Sequence, residues 1–255
     1  MRVAITGAAT GIGAATAAVF KADGAHVTGF DIARSDAAVD DWVLVDLSDP
    51  QAVAATVDQV DGPFDALINN AGLPPRPGMA TQVLRLNFFG LRQFLHAMLG
   101  KLSDGAAVVN TASRAGAMWR DNIDEVKALM DLCPDDLDEF VRSRNIDPTR
   151  AYNLSKEAVI VMTMAETQAM TARGLRMNSV SPAAVSTGIL DDFALAFGDR
   201  MTRNVARAGR PGTAGEIANV IAFLARPESG WIKGQDIVID GGMSAMSQCE
   251  AFGLL

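Results

Sequence analysis

Short apolar runs alternate with longer helical patterns along the chain, and this alternation constrains the fold more than any other feature. The strand-like runs are 2–6, 26–31, 42–47, 65–72, 105–113, 175–182 and 234–242. The patterns between them predict helices over 12–24, 50–60, about 80–100, 151–172 and 214–225. Because strands buried on both faces read as nearly continuous apolar runs, we expect a parallel sheet covered by helices on both sides. Right-handed crossovers make this a single α/β domain over residues 1–255, with a doubly wound, Rossmann-like parallel sheet.

Two segments interrupt the alternation. Residues 118–150 form an acidic helical insert, predicted as two short amphipathic helices broken at Cys133–Pro134. Residues 183–210 mix short helical patterns with Gly and Thr. Long irregular connections in a compact domain commonly form lids or binding loops, so we expect residues 183–210 to be the substrate loop.

Composition excludes several functions. The net charge of −8 argues against nucleic acid or anionic membranes as partners. No apolar run approaches the roughly 18 residues needed to cross a bilayer, and no signal-peptide pattern is present, so we expect a cytoplasmic protein. Cys133 and Cys249 share no metal-ligand spacing with each other or with His26 and His96. We therefore expect free thiols, structural histidines and no bound metal.

A glycine-rich turn, TGAATGIG (6–13), separates the first strand from the first helix. Gly7 allows a sharp turn, whereas Gly11 and Gly13 leave room for a pyrophosphate to approach the backbone and the helix N terminus. The position of this turn between a strand and a helix predicts a dinucleotide site.

Asp31 ends the second strand, 18 residues after Gly13. A carboxylate there can accept hydrogen bonds from both ribose hydroxyls and repels a 2′-phosphate, which predicts NAD rather than NADP. The alternative is a helix-capping residue, and Arg34 leaves some use of NADP open. Asp46, at the end of the third strand, is expected to bond the adenine amino group, or else to be an exposed turn residue.

The chain contains one tyrosine, Tyr152, and Lys156 follows it by four residues. Residues at i and i+4 share a helix face, so the ammonium group is within reach of the phenol. A free tyrosine has a pKa of about 10, and we expect the positive charge to lower that pKa toward the range of a useful general base. The alternative is a simple packing pair on the surface of a helix.

The order of these motifs resembles the short-chain dehydrogenase/reductase family over nearly the whole chain. The matching segments are TGAATGIG (6–13), NNAG (69–72), Asn87 in LNFFG, Ser113 in NTAS, YNLSK (152–156), NSVSP (178–182) and IDGG (239–242). The insert, RGLRMNSVSP and SGWIKGQDIVIDGG resemble bacterial coniferyl-alcohol dehydrogenases and 3α-hydroxysteroid dehydrogenase/carbonyl reductases more closely. Two features depart from the family: 38 residues separate Ser113 from Tyr152, and Ala183 replaces a glycine.

The resemblance implies four catalytic residues. Tyr152 exchanges the proton of the substrate hydroxyl, and Ser113 donates a hydrogen bond to the substrate oxygen. Lys156 bonds the nicotinamide ribose, and Asn87 holds a water that links Lys156 to solvent. Hydride then passes between the substrate carbon and the nicotinamide.

The resemblance also implies a set of cofactor contacts. They are Gly7, Thr10, Gly11, Ile12, Gly13, Asp31, Asp46, Leu47, Asn70, Ala71, Gly72, Tyr152, Lys156, Pro182, Val185 and Thr187. Among them, Asn70 and Gly72 are expected to shape the turn beneath the cofactor. Thr187 is expected to bond the nicotinamide carboxamide, or else to cap its loop.

The expected substrate is a small hydrophobic alcohol or carbonyl compound. The residues expected to line its pocket, unless they only pack short helices, are Leu190, Phe193, Leu195, Phe197, Trp119, Met130, Leu137 and Phe140. No arginine is evidently placed to bind a substrate carboxylate or phosphate. This favours an uncharged aryl-allylic alcohol such as coniferyl alcohol, with a 3α-hydroxysteroid dehydrogenase/carbonyl reductase as the alternative. A catalytically silent NAD(H)-binding sensor is the alternative from another class, and it would turn over no alcohol.

Members of this family form dimers or tetramers, so we expect a homodimer or homotetramer. We expect the insert to obstruct the helices that carry Asn87 and Tyr152. The last strand and helix would then form the interface.

Overall fold

The computed structural model describes residues 1–254 and is built on a parallel sheet of seven strands. The strands of this sheet are β1 (Arg2–Thr6), β2 (His26–Asp31), β3 (Asp41–Leu44), β4 (Phe64–Asn69), β5 (Leu102–Thr111), β6 (Arg176–Pro182) and β9 (Asp236–Ile239). Two short strands, β7 (Val185–Ser186) and β8 (Gly212–Thr213), lie outside it. The order across the main sheet is β3-β2-β1-β4-β5-β6-β9, and β7 pairs with β8 in a separate two-stranded ladder. This order reverses direction on either side of β1, which confirms the predicted doubly wound α/β fold.

Helices cover both faces of the sheet. They are α1 (Gly11–Ala22), α2 (Pro50–Gln59), α3 (Ala80–Leu84), α4 (Leu91–Met98), α5 (Ile123–Met130), α6 (Leu137–Ser143), α7 (Pro148–Ala165), α8 (Thr167–Ala172), α9 (Leu190–Ala208), α10 (Ala214–Ala225) and α11 (Met243–Ala251). A π-helical segment, Arg85–Gly90, joins α3 to α4. Within residues 1–254, none of these helices is both long and apolar enough to cross a lipid bilayer.

Two apolar cores lie on opposite sides of the sheet. One core joins the inner faces of α1 and α10 to the strands, with Phe20 and Ile221 fully buried. The other joins α2, α4 and α7, with Phe88, Phe94 and Leu154 fully buried. Strand residues such as the buried Val3 alternate between these cores, which explains why the strands read as continuous apolar runs.

Local sequence signals set where several helices begin. Asp49 caps α2 by accepting hydrogen bonds from the backbone N–H groups of residues 51 and 52, and Pro50 occupies the first helical position. Asp147 and Pro148 repeat this arrangement at the start of α7. Thr213 begins α10 with a reciprocal capping box to Glu216.

Several predicted elements differ in extent. The third strand ends at Leu44 rather than residue 47, because the Asp46 carboxylate accepts hydrogen bonds from the N–H and hydroxyl of Ser48 and turns the chain. The helix predicted over 151–172 begins at Pro148 and breaks after Ala165. The hydroxyl of Thr167 donates to the carbonyl of residue 163 at 2.8 Å, a back-bond that bends helices. The strand predicted over 105–113 instead spans Leu102–Thr111.

The insert folds as predicted, with α5 and α6 separated at Cys133–Pro134. An ionic cluster ties it to α7. Arg150 donates to Glu125 of α5 at 2.9 Å and to the buried Glu157 of α7 at 3.0 Å. Asn122 also donates to Glu157, at 2.7 Å. The insert therefore covers the outer surfaces of α3 and α7.

The expected substrate loop is more regular than predicted. Residues 190–208 form α9, which is interrupted at Gly198, where φ is 49° and ψ is −134°. A glycine tolerates this left-handed φ without the strain that a Cβ would add. The two parts of α9 are thus a bent helix over the carboxyl ends of the strands, rather than scattered short helices.

Candidate active site

A cleft with a volume of about 920 Å³ lies at the carboxyl ends of β1, β2, β4, β5 and β6. This edge of an open parallel sheet is where ligands bind in doubly wound folds. The predicted site residues that line the cleft are Gly7, Thr10, Gly11, Ile12, Asp31, Asp46, Leu47, Asn70, Ala71, Gly72, Ser113, Tyr152, Lys156, Pro182, Val185 and Thr187. Two predicted site residues, Gly13 and Asn87, do not line it.

The glycine turn has the shape that a pyrophosphate requires. Gly7 has φ +65°, and a Cβ there would come within 2.8 Å of the Ala71 Cα atom. Gly11 has φ +56° and lies open to the cleft, opposite the Thr187 methyl group. A Cβ on Gly13 would lie 2.0 Å from the Gly7 carbonyl oxygen, so Gly13 is required for packing inside the turn rather than for ligand contact. The turn thus fits a dinucleotide, with its phosphates facing the N terminus of α1.

Side chains beneath the turn hold it against β4. The Thr6 hydroxyl accepts hydrogen bonds from the backbone N–H groups of Asn70 and Ala71, at 2.9 and 3.0 Å. The Asn70 amide donates to the Gly7 carbonyl at 3.3 Å. These bonds agree with the expectation that Asn70 shapes the turn.

The carboxylates at the ends of β2 and β3 are positioned by the backbone. Asp31 accepts hydrogen bonds from the N–H groups of Ala9, at 2.9 Å, and Ile32, at 2.7 Å. Its carboxylate therefore faces the rim of the glycine turn, while Arg34 does not line the cleft. This arrangement places a negative charge at the rim of the glycine turn.

Tyr152 and Lys156 are nearly fully buried on one face of α7. The Lys156 ammonium group donates to the Thr111 carbonyl at 2.8 Å and lies 5.8 Å from the centre of the Tyr152 ring. Burial raises the pKa of Tyr152 to about 12, and a hydrogen bond with Ser113 opposes this rise. Burial also lowers the pKa of Lys156 to about 8. The expectation that Lys156 lowers the tyrosine pKa is therefore wrong for this arrangement, because desolvation of the phenolate dominates.

Asn87 lies in the π-helical segment, fully buried behind the cleft. Its amide oxygen accepts from the N–H of Leu73 at 2.7 Å, and its amide nitrogen donates to the Leu73 carbonyl at 3.0 Å. A Cβ on Gly72 would lie 3.3 Å from the Asn87 amide oxygen and 3.7 Å from the Lys156 ammonium nitrogen. Asn87 is therefore close to the buried lysine but does not face the cleft. The π-helical backbone around it is a feature found frequently at functional sites.

Ala183 fits the position where the family has glycine. Within residues 1–254, Asn145 is the one non-glycine residue with a positive φ, so Ala183 needs no left-handed backbone. Its N–H donates to the Ile239 carbonyl at 3.1 Å. The substitution therefore leaves the turn after β6 free of backbone strain.

An aromatic wall formed by Phe193 and Phe197 of α9 faces Tyr152. The ring centres of Tyr152 and Phe193 are 5.2 Å apart, and those of Tyr152 and Phe197 are 6.4 Å apart. Both phenylalanines line the cleft, as expected. Leu190 and Leu195 do not line it.

The four insert residues expected to line the pocket do not reach it. Leu137 and Phe140 are buried in the core, and Trp119 and Met130 pack against that core. The alternative of ordinary core packing is therefore the correct interpretation for Trp119, Met130, Leu137 and Phe140. The insert is held against α7 on the side away from the cleft.

Three arginines line the cleft: Arg85, Arg114 and Arg200. The sequence showed no arginine evidently placed to bind a substrate carboxylate or phosphate, and the structure brings these three side chains to the cleft wall. Arg114 could have been noticed because it directly follows Ser113. Arg200 follows Phe197 by three residues, but the bend at Gly198 lies between them, so helical spacing alone does not place it on the cleft wall.

In the part of the chain that the structure describes, no group of three or more His, Cys, Asp or Glu side chains is arranged to hold a metal ion. His26 contacts Asp41 at 2.6 Å and His96 contacts Glu166 at 3.0 Å, both on the surface. Cys133 and Cys249 are free thiols.

Comparisons with known proteins agree with the fold and the site. The family model described as short chain dehydrogenase matches residues 1–123, and the one described as enoyl-(acyl carrier protein) reductase matches residues 138–244. The chain is 34% identical to coniferyl-alcohol dehydrogenase from Pseudomonas sp. strain HR199, over 96% of both chains. It is 31% identical to 3-alpha-hydroxysteroid dehydrogenase/carbonyl reductase from Comamonas testosteroni, over 98% of this chain and 99% of the other.

Among solved structures, the 3-alpha-hydroxysteroid dehydrogenase from Pseudomonas sp. B-0831, complexed with NADH, superposes with a TM-score of 0.86. It is 30% identical and covers 98% of this chain and 99% of its own. The doubly wound sheet, the glycine turn and the buried Tyr–Lys pair thus define an oxidoreductase that binds a nicotinamide cofactor. The chain belongs to the short-chain dehydrogenase/reductase family, which confirms the resemblance seen in its motifs.

Proposed function

We propose that this protein is an NAD-dependent alcohol dehydrogenase for hydrophobic alcohols, with an aryl-allylic alcohol such as coniferyl alcohol as the preferred substrate class. One observation carries the proposal. The phenol of Tyr152 lies at the cleft, in contact with Ser113 on one side and the Phe193 ring on the other. A hydroxyl on an apolar, aromatic body would meet both its acid–base partner and a matching wall there.

Each residue at this point has a distinct task. Tyr152 takes the substrate hydroxyl proton during oxidation and returns it during reduction. Ser113 holds the substrate oxygen and stabilises the phenolate by a hydrogen bond. Lys156, anchored on the Thr111 carbonyl, provides a positive charge and a donor for the ribose. When bound, the nicotinamide accepts or supplies the hydride.

Asp31 supports NAD as the preferred cofactor. Its carboxylate faces the rim of the glycine turn, where it can accept from ribose hydroxyls and repels a 2′-phosphate. Arg34, the residue that left NADP open, does not line the cleft.

The test is NADH formation at 340 nm over a panel of aryl-allylic, steroid, cyclic and aliphatic alcohols, with NAD and NADP in parallel. We expect turnover with NAD, best with aryl-allylic alcohols, and a loss of about 10²–10⁴-fold in Tyr152→Phe, the range that general acid–base catalysis contributes. Equal rates in the wild type and Tyr152→Phe would contradict the assigned base. NADH binding without turnover of any alcohol would favour a sensor instead.

A second substrate class has specific support. The TM-score of 0.86 to a 3-alpha-hydroxysteroid dehydrogenase favours a steroid alcohol or carbonyl compound as the alternative. The same panel separates the two, because a steroid would then exceed the aryl-allylic alcohols in kcat/KM.

We also propose that the chain assembles as a homodimer or homotetramer through the edge formed by α10 and β9. Three exposed apolar side chains at this edge support its choice as the interface: Trp231 is 96% exposed, and Phe223 and Val238 are each 43% exposed. The insert meanwhile covers α7 and α3, and Arg92 of α4 donates to the Met130 carbonyl of α5 at 2.7 Å. Solution scattering that fits a dimer joined through α4 and α7 would contradict this assembly.

A further inference from the structure

We infer that, among aromatic alcohols of matched shape, the cleft favours those that carry a carboxylate at the end away from the hydroxyl, and that Arg200, together with Arg114, binds this carboxylate. The inference rests on the proposed alcohol dehydrogenase function and names the substrate class more closely. Three arginines on the cleft wall have no task in the proposed acid–base chemistry, and the inference begins from two of them, since the third, Arg85, lies 4.0 Å from the Asp138 carboxylate.

The face of α9 toward the cleft is aromatic before the bend and carries polar side chains after it. Before the bend at Gly198, Phe193 and Phe197 pack near Tyr152 and form an apolar wall. After the bend, Arg200, Met201 and Asn204 line the cleft. Asn204 follows Arg200 by one helical turn, about 6 Å along the axis. An alcohol whose apolar body lies against the phenylalanines would therefore direct its far end toward polar side chains.

Arg200 is free to bind such a group. Further along the chain, Arg207 pairs with Glu250 and Arg210 pairs with Glu216. Arg200 has no carboxylate within 4.0 Å anywhere in residues 1–254. Its guanidinium can present a planar pair of donors to a carboxylate, which is the geometry that arginine recognises best.

Arg114 supplies a second positive charge beside Ser113. Its Nε atom is buried and has no hydrogen-bond partner in the described chain. The nearest carboxylate oxygen, on Asp240, is 3.6 Å away and already accepts from the N–H of Ser244 at 2.9 Å. Buried polar groups are normally satisfied, so this donor indicates a missing acceptor.

The distribution of charge along the cleft agrees with this assignment. Within the described residues, the carboxylates that line the cleft are Asp31 and Asp46, at the ends of β2 and β3. Both accept backbone hydrogen bonds at the nucleotide end. Arg200 thus faces no lining carboxylate beyond Tyr152, whereas Asp240 partly balances the charge of Arg114, so an anion is favoured beside Arg200.

The test uses two aromatic alcohols of nearly the same shape, 4-(hydroxymethyl)benzoate and 4-(hydroxymethyl)benzamide. For the wild type with saturating NAD, we expect kcat/KM to favour the benzoate by at least 10-fold. Arg200→Met should reduce kcat/KM for the benzoate by about 10–100-fold, the value of one charge-assisted hydrogen bond, and leave the benzamide within 2-fold. Arg114→Met should act in the same direction.

Arg203→Met is the matched control, because Arg203 is an exposed arginine on α9 that does not line the cleft. It should leave both substrates unchanged. Turnover of both alcohols without preference for the benzoate would overturn the inference alone. An increase in the KM for NAD in Arg200→Met, equal for both alcohols, would assign Arg200 to the cofactor and also overturn it. No turnover of these or any other alcohol would overturn the proposed function and this inference with it.

Discussion

Ser113→Ala tests the balance of forces on Tyr152, the residue proposed as the general base. Burial raises the pKa of Tyr152 to about 12, and the hydrogen bond with Ser113 acts in the opposite direction. A hydrogen bond to a charged group contributes about 1.5–3 kcal/mol. Since each pKa unit corresponds to about 1.4 kcal/mol, losing this bond should raise the tyrosine pKa by about 1–2 units.

The direction in which the pH profile moves depends on which protonation state of Tyr152 reacts. Oxidation requires the phenolate, which is present above the pKa, so the rising limb of log kcat/KM should move about 1–2 units higher in pH. At a fixed pH below that limb, oxidation should fall by about 10–100-fold. Reduction requires the phenol, which is present below the pKa, so its falling limb should move to higher pH as well.

The assay is kcat/KM against pH in both directions for wild type, Ser113→Ala and Ser155→Ala. Ser155 is a suitable control because its hydroxyl donates to the Tyr152 carbonyl at 2.7 Å and not to the phenol. Its profile should keep the wild-type limb. If the limb of the Ser113→Ala profile stays at the wild-type pH, Ser113 does not tune the tyrosine and the reasoning is refuted.

Two further predictions concern stability and assembly. Arg150→Met leaves the buried Glu157 carboxylate with Asn122 as its partner. This should lower the free energy of unfolding by about 3 kcal/mol, the lower end for a broken buried ion pair, because the Arg150 side chain is 25% exposed. The corresponding decrease in Tm is about 6–12 °C. Calorimetry should show most of this loss recovered in Arg150→Met/Glu157→Gln, and a double variant as unstable as the single one would contradict the explanation. Trp231→Arg should weaken assembly by about 30-fold in Kd, as loss of about 2 kcal/mol of aromatic burial implies. Unchanged sedimentation at micromolar concentration would place the interface elsewhere.

Local patterns in the sequence were sufficient to predict the elements that carry the reaction. The glycine turn was recognisable because a sharp turn and close packing, such as that of Gly13 on Gly7, exclude side chains. The Tyr152–Lys156 pair was recognisable because residues four apart share a helix face. Likewise, the strands were predictable because burial on two faces leaves a continuous apolar run.

The boundaries of these elements depended on side-chain contacts that a short segment of sequence does not reveal. The third strand stops early because Asp46 turns toward Ser48, and the helix after Tyr152 breaks where Thr167 bonds its own backbone. The apolar and aromatic composition of the insert likewise suggested that its residues line the substrate pocket. They became core residues because Arg150 holds the insert against the far side of α7.

The sequence by itself determined the α/β fold, the nucleotide turn and the order of the catalytic residues, since each depends on periodicity or on the shape of a short segment. The tertiary structure alone decided the pKa of Tyr152 and the charge of the cleft wall. Desolvation depends on every atom packed around the phenol, and it outweighs the lysine that the sequence places nearby. Arg114 and Arg200 likewise share a cleft only because the turn after β5 and the second part of α9 both border it, although 86 positions separate the two arginines in the chain.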